Sequence, residues 1–202
     1  MKKISTYNSG KIKIVSLLSI IMVLYIHSWY TEAESYAFSS QLQVTVTQGL
    51  CAMAVPMFFT ISGFLFFQGV AAVKDVFRKQ RKRISTLMLP YILWNLIFML
   101  WYFAMGYIPG ISQYVNSDMV GKLLSCNFLD GFNMLFIEPA GFHLWFLRDL
   151  ILFVTIAPLI FYCIRYTKWL LPAVCAVVSL KYPLWNGLAF FSVGGGFRCT
   201  DY

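Results

Sequence analysis

The sequence predicts an all-α chain: a multi-pass transmembrane helical bundle of about six spans, with its N-terminus in the cytoplasm. Three observations point there. Of 202 residues, 59% are hydrophobic and only 12% charged, where a soluble domain carries about 25% charged residues. Mean hydropathy is +0.70. The apolar residues fall in continuous uncharged runs, not in the alternating segments of about ten residues that build a closed barrel.

Span one runs from Ile14 to Thr31 and covers roughly 27 Å at helical rise, close to the ~30 Å of a hydrocarbon core. Lys2, Lys3, Lys11 and Lys13 precede it and set the cytoplasmic N-terminus. His27 then lies about 21 Å along the helix from Lys13, in the outer third of the membrane. Residues 35–48 are uncharged but rich in Ser, Thr and Gln, as suits a membrane surface. Span two, Gly49 to Gln68, carries Pro56 and the small pair Ser62-Gly63, where a second helix can approach closely. The stretch Lys74 to Arg83 holds six of the sixteen basic residues and reads as a cytoplasmic loop.

Span three covers Ile84 to Met105 and includes Pro90, Trp94 and Asn95. Its outer loop, 106–142, repeats Val120, Leu124, Phe128 and Phe132 every fourth residue. That spacing predicts a short amphipathic helix on the outer surface or over the end of the bundle. Span four runs from His143 to Ile164 and carries Arg148-Asp149. Arg165 and Lys168 mark the next inner loop. Span five, Trp169 to Leu180, is short at roughly 18 Å. Span six, Leu184 to Phe197, contains Gly194-Gly195-Gly196, a poor helix interior that blurs its register. The chain is otherwise one transmembrane domain over 1–202, without repeats or a soluble module.

Composition also excludes. The net charge of +8 is topological, because nucleic-acid binding needs a basic face on a soluble module. No metal-ligand spacing occurs. Cys51, Cys126, Cys163, Cys175 and Cys199 form no C-x-x-C pair; Cys163 and Cys175 sit in apolar runs, as small core residues do. A cleaved signal peptide fits poorly, since the first apolar run exceeds an h-region and more spans follow.

An ionisable side chain within a membrane span is a functional hypothesis by default. His27 suits a general base for a hydroxyl nucleophile; the plainer reading is a histidine meeting headgroups at the interface. Arg148 and Asp149, with His143 nearby, suit a polar pocket or simple interface anchoring. Neighbouring helix positions point about 100° apart, so each is expected to pair on another helix. The basic loop suits phosphate as well as anionic lipid. Ser62 has no base to activate it, and close packing accounts for it.

Four segments together resemble the bacterial acyltransferase type 3 family. They are Val-Leu-Tyr-Ile-His27-Ser28; Pro56-Met-Phe-Phe-Thr-Ile-Ser62-Gly63-Phe-Leu-Phe; Lys82-Arg83-Ile with Leu89-Pro90-Tyr91-Ile-Leu-Trp94; and Phe142-His143-Leu-Trp145-Phe-Leu. The resemblance implies a multi-pass inner-membrane enzyme that moves acetyl or another short acyl group from a cytoplasmic acyl-CoA, commonly acetyl-CoA, to a hydroxyl of a cell-surface glycan or glycolipid. No cofactor is bound permanently; the acyl-CoA is a co-substrate. His27 would be the catalytic base, with Arg81 and Arg83 binding the donor. The chain departs from the family at Ser16, where an arginine is expected, and the family continues for further helices beyond the sixth span. The competing expectation is a non-enzymatic transporter or glycolipid-handling protein with a polar path along Arg148 and Asp149.

Overall fold

The computed structural model describes residues 6–27, 44–108, 120–121, 127–167, 169–179, 181 and 184–199. All regular structure among them is helical, and they contain no strand. The helices are α1 (Thr6–His27), α2 (Ala54–Phe67), α3 (Val73–Gly106), α4 (Phe128–Phe136), α5 (Trp145–Thr155), α6 (Ala157–Thr167), α7 (Leu170–Ser179) and α8 (Leu184–Cys199). The chain divides into two compact units, Met1–Phe77 with Ala157–Tyr202, and Arg78–Ile156.

In the first unit, α1 turns its small face inward. Ser19 is 1% exposed, and its hydroxyl donates to the Val15 carbonyl. Leu17, Leu18, Ile20, Ile21 and Leu24 point outward. Apolar outside and polar inside is the reverse of a water-soluble helix and the dressing expected of one that meets lipid.

Span two takes three helical forms in succession. A π-turn over Val46–Leu50 leads into a 3-10 turn over Cys51–Met53 and then α2. Pro56 falls in the first turn of α2, where its missing N–H has no intrahelical partner to lose. The centre of the unit is aromatic: Phe67 lies 6.0 Å from Phe191 and 6.4 Å from Phe161, and Phe66 packs beside both Phe67 and Phe191. Cys175 is buried as expected, but Cys163 is exposed on the outer side of α6.

The small spot at Gly63 is a helix crossing. A Cβ there would fall 2.0 Å from the Phe191 carbonyl oxygen, and one at Gly194 would fall 2.0 Å from that of Thr60. The three glycines of span six therefore do not interrupt α8, which runs through them. Their low helix propensity, about 1 kcal/mol each, is outweighed by close packing: Gly194 meets the backbone of α2, Gly195 the Phe67 ring, and Gly196 the Trp169 ring.

The basic stretch 74–83 is not a loop. It is the start of α3, which runs unbroken for 34 residues and so rises about 51 Å, well beyond a ~30 Å hydrocarbon core. The connection to α2 shrinks to a tight turn at Gly69, whose φ of 74° is open to glycine at little steric cost. Asp75 then closes the helix start: its carboxylate accepts the Ala71 and Ala72 N–H groups, each at 3.3 Å, as the third helical residue of a capping box does. Asp75→Ala is expected to lower unfolding stability by about 1 kcal/mol, measured by chemical denaturation in detergent.

Span four is built of two helices. It breaks at Ile156 into α5 and α6. Pro158 is the cause: it has no N–H for the Val154 carbonyl, and its ring clashes with that carbonyl in a continuous helix. Among the described residues only α3 is long and apolar enough by itself to cross a membrane, and α5 with α6 qualify only when taken together.

Candidate functional site

Tyr91 and Asn95 stand one turn apart on the same face of α3, 2% and 0% exposed. Both face the C-terminal end of α4, where the last carbonyls of any helix lack intrahelical partners. Tyr91 Oη donates to the Leu135 carbonyl at 2.8 Å. Asn95 Nδ2 donates to Met134 at 2.9 Å and to Leu135 at 3.3 Å, while its Oδ1 accepts the Ala140 N–H at 2.8 Å. One amide thus fixes both the end of α4 and the connector that follows.

The same stripe continues to Phe98, one turn further. A Cβ at Gly141 would fall 2.5 Å from the Phe98 ring. That ring meets His143 edge-on, with centroids 6.2 Å apart. His143 lies in a 3-10 turn, Phe142–Leu144, that opens directly into α5, and it is exposed. Its position is therefore set by α3 through Asn95 and Phe98.

Arg148 and Asp149 do not seek separate partners on other helices, as spacing on the helix predicts. Nε and Nη2 of Arg148 bond to Oδ1 of Asp149 at 2.9 and 2.8 Å. The long arginine stem lets the fork curl across the 100° between adjacent positions. Its Nη1 also donates to the Ile137 carbonyl just beyond α4, placing a cation at the negative end of that helix. Asp149 is 6% exposed, a charge that burial permits only because the guanidinium neutralises it. Both charges lie within electrostatic range of the Tyr91 phenol.

The structure therefore brings Arg148, Asp149, Tyr91 and Asn95 into one polar seam within the unit Arg78–Ile156. Tyr91 and Asn95 went unread as site residues; the available signal was a lone amide in an apolar run with a phenol one turn before it. Arg81 and Arg83 are exposed on α3, about 15 and 12 Å along the axis from Tyr91, and they point to opposite sides of the helix. Gln80 Nε2 ties this part of α3 to the Thr155 carbonyl at 2.6 Å.

His27 ends the backbone of α1, and its side chain lies outside the described residues. The proposed Val120–Phe132 repeat is described only in part: α4 begins at Phe128, with Phe128 and Phe132 exposed and Met134 buried. Ser16, at the position where an arginine is expected, donates its hydroxyl to the Ile12 carbonyl at 2.8 Å. Among the described residues no cluster of three or more metal-ligating side chains occurs.

Residues 12–198 match the family described as acyltransferase domain. The succinoglycan biosynthesis protein ExoH of Rhizobium meliloti (strain 1021) is 25% identical over 193 residues, covering 89% of this chain and 49% of that protein. The chain thus spans about half the length of this relative. No solved structure matches it.

Proposed function

The chain belongs to the acyltransferase type 3 family, and on that premise we propose that it forms the membrane-embedded body of an enzyme moving an acetyl or short acyl group from acyl-CoA to a hydroxyl of a cell-surface glycan. The family match, running from within α1 to within α8, is the observation that carries this reading. The relative's role in succinoglycan biosynthesis supports a polysaccharide acceptor.

In this reading the protein crosses the bacterial inner membrane about six times from a cytoplasmic N-terminus. His27 takes the proton of the acceptor hydroxyl. The hydroxyl oxygen attacks the acyl carbonyl, an ester forms, and the CoA thiolate leaves and is protonated. The part of α3 that projects beyond the membrane carries Arg81 and Arg83, whose guanidinium groups suit the donor's phosphates.

Membrane vesicles containing the chain are expected to pass label from acetyl-CoA to envelope glycan, and His27→Ala to lower transfer by about 100-fold or more. Equal transfer by parent and variant removes His27 as the base. A second reading rests on the buried charge of Asp149 within an apolar helix: a polar path for a solute. Loss of solute passage in Arg148→Ala, with no acyl product from the parent, favours that reading instead.

A further inference from the structure

We infer that Arg148 and Asp149 recognise a hydroxyl pair of a neutral sugar, and so form the acceptor-binding side of the activity proposed above. The identity of the sugar as acyl acceptor rests on that reading. The chemistry of the pair does not.

A carboxylate offers about four lone-pair sites on two oxygens. Every hydrogen bond that Asp149 accepts among the described residues falls on Oδ1. Among the described residues Oδ2 receives none, although the residue is 6% exposed. Buried polar atoms are nearly always satisfied, so an unused carboxylate oxygen calls for an occupant.

Arg148 supplies the complement. Of the five N–H groups on a guanidinium, Nε, one on Nη1 and one on Nη2 are engaged. Among the described residues, one N–H on each terminal nitrogen is left without a partner, and the side chain is 33% exposed. An acceptor and donors that no described residue engages therefore belong to two adjacent side chains already tied to each other and to the end of α4. Such fixing lowers the ordering cost of binding.

The pair is neutral overall, which selects its ligand. An anion attracted by Arg148 meets Asp149, and a cation attracted by Asp149 meets Arg148. A sugar hydroxyl both donates and accepts, so it can give its proton to Oδ2 while a neighbouring hydroxyl takes one from Nη1 or Nη2. Tyr91 donates its hydrogen bond to Leu135, and Asn95 spends its donor on the α4 end and its acceptor on the connector that follows. They frame the pair and leave recognition to it.

The test is saturation-transfer NMR on the chain in nanodiscs, with methyl glucoside and methyl galactoside as neutral probes and glucuronate as the anionic one. At least one methyl glycoside is expected to bind in preference to glucuronate. Asp149→Asn and Arg148→Lys, checked for folding by thermal unfolding, are each expected to weaken it tenfold or more, the scale of one charged hydrogen bond. Glucuronate preferred by the parent, no transfer from either glycoside, or unchanged binding in a folded variant overturns the inference. The preference of the parent needs no variant to fold. Acetyl transfer measured in parallel separates the two readings. Glycoside binding without any transfer overturns the acyltransferase alone, and transfer with an unchanged acceptor KM in Arg148→Lys overturns the recognition pair alone.

Discussion

Gly194→Ala is expected to unseat α8 from α2 and to leave little folded protein. The added Cβ would lie 2.0 Å from the Thr60 carbonyl oxygen and 2.7 Å from the Phe64 nitrogen. Both are backbone atoms, so no rotamer change on either side relieves the clash. Overpacking a core usually costs 1–3 kcal/mol through side chains that can shift; two helix backbones forced apart put this substitution at or above the top of that range. Against a typical stability of about 5–15 kcal/mol, the loss is large. Gly63→Ala meets the Phe191 carbonyl at the same 2.0 Å and is expected to match it. Gly10 in α1 has nothing within 4 Å of its would-be Cβ, so Gly10→Ala is the control, expected to be neutral or slightly stabilising. Chemical unfolding in detergent decides. Gly194→Ala unfolding with the parent's midpoint would show that α2 and α8 do not meet at these residues.

Asn95→Leu carries the second large effect. The change keeps the branched side-chain skeleton but removes every bond that Asn95 makes to Met134, Leu135 and Ala140. Interhelical hydrogen bonds within membranes average only about 0.6 kcal/mol, because the separated helices find other partners. Here the stranded groups are backbone atoms around a residue 0% exposed, and an unsatisfied buried group costs about 1–3 kcal/mol. A loss of about 3 kcal/mol is expected. The connector should loosen with it. In a His143→Cys background, Asn95→Leu is expected to change the rate of maleimide labelling at 143, whereas Leu93→Ala, on an exposed part of α3, is not. Equal labelling in all three proteins would mean that α3 does not position the His143 turn.

Much of this architecture could be read from residue order. The helical apolar runs and the small spot at Gly63 each follow from how lipid treats charge and from how closely two helices can pack. Pro158 was legible too, as a residue that cannot continue a helix from Ile151 through Phe161. The capping carboxylate of Asp75 lay in plain view, but a run of arginines beside it looked like a loop. Charge density says which side of a membrane a segment favours; it does not say whether the backbone there is helical.

What the sequence determined alone was the helical class, the apolar segments and the family, since these depend on composition, periodicity and motif order. Tertiary structure decided the rest. It carried α8 through three glycines, curled Arg148 onto its own neighbour, and aimed Asn95 at the open carbonyls of α4. The first and third turn on a partner brought from a distant part of the chain, and the second on a side chain long enough to fold back on itself; helix spacing records which way a residue points but not what waits there.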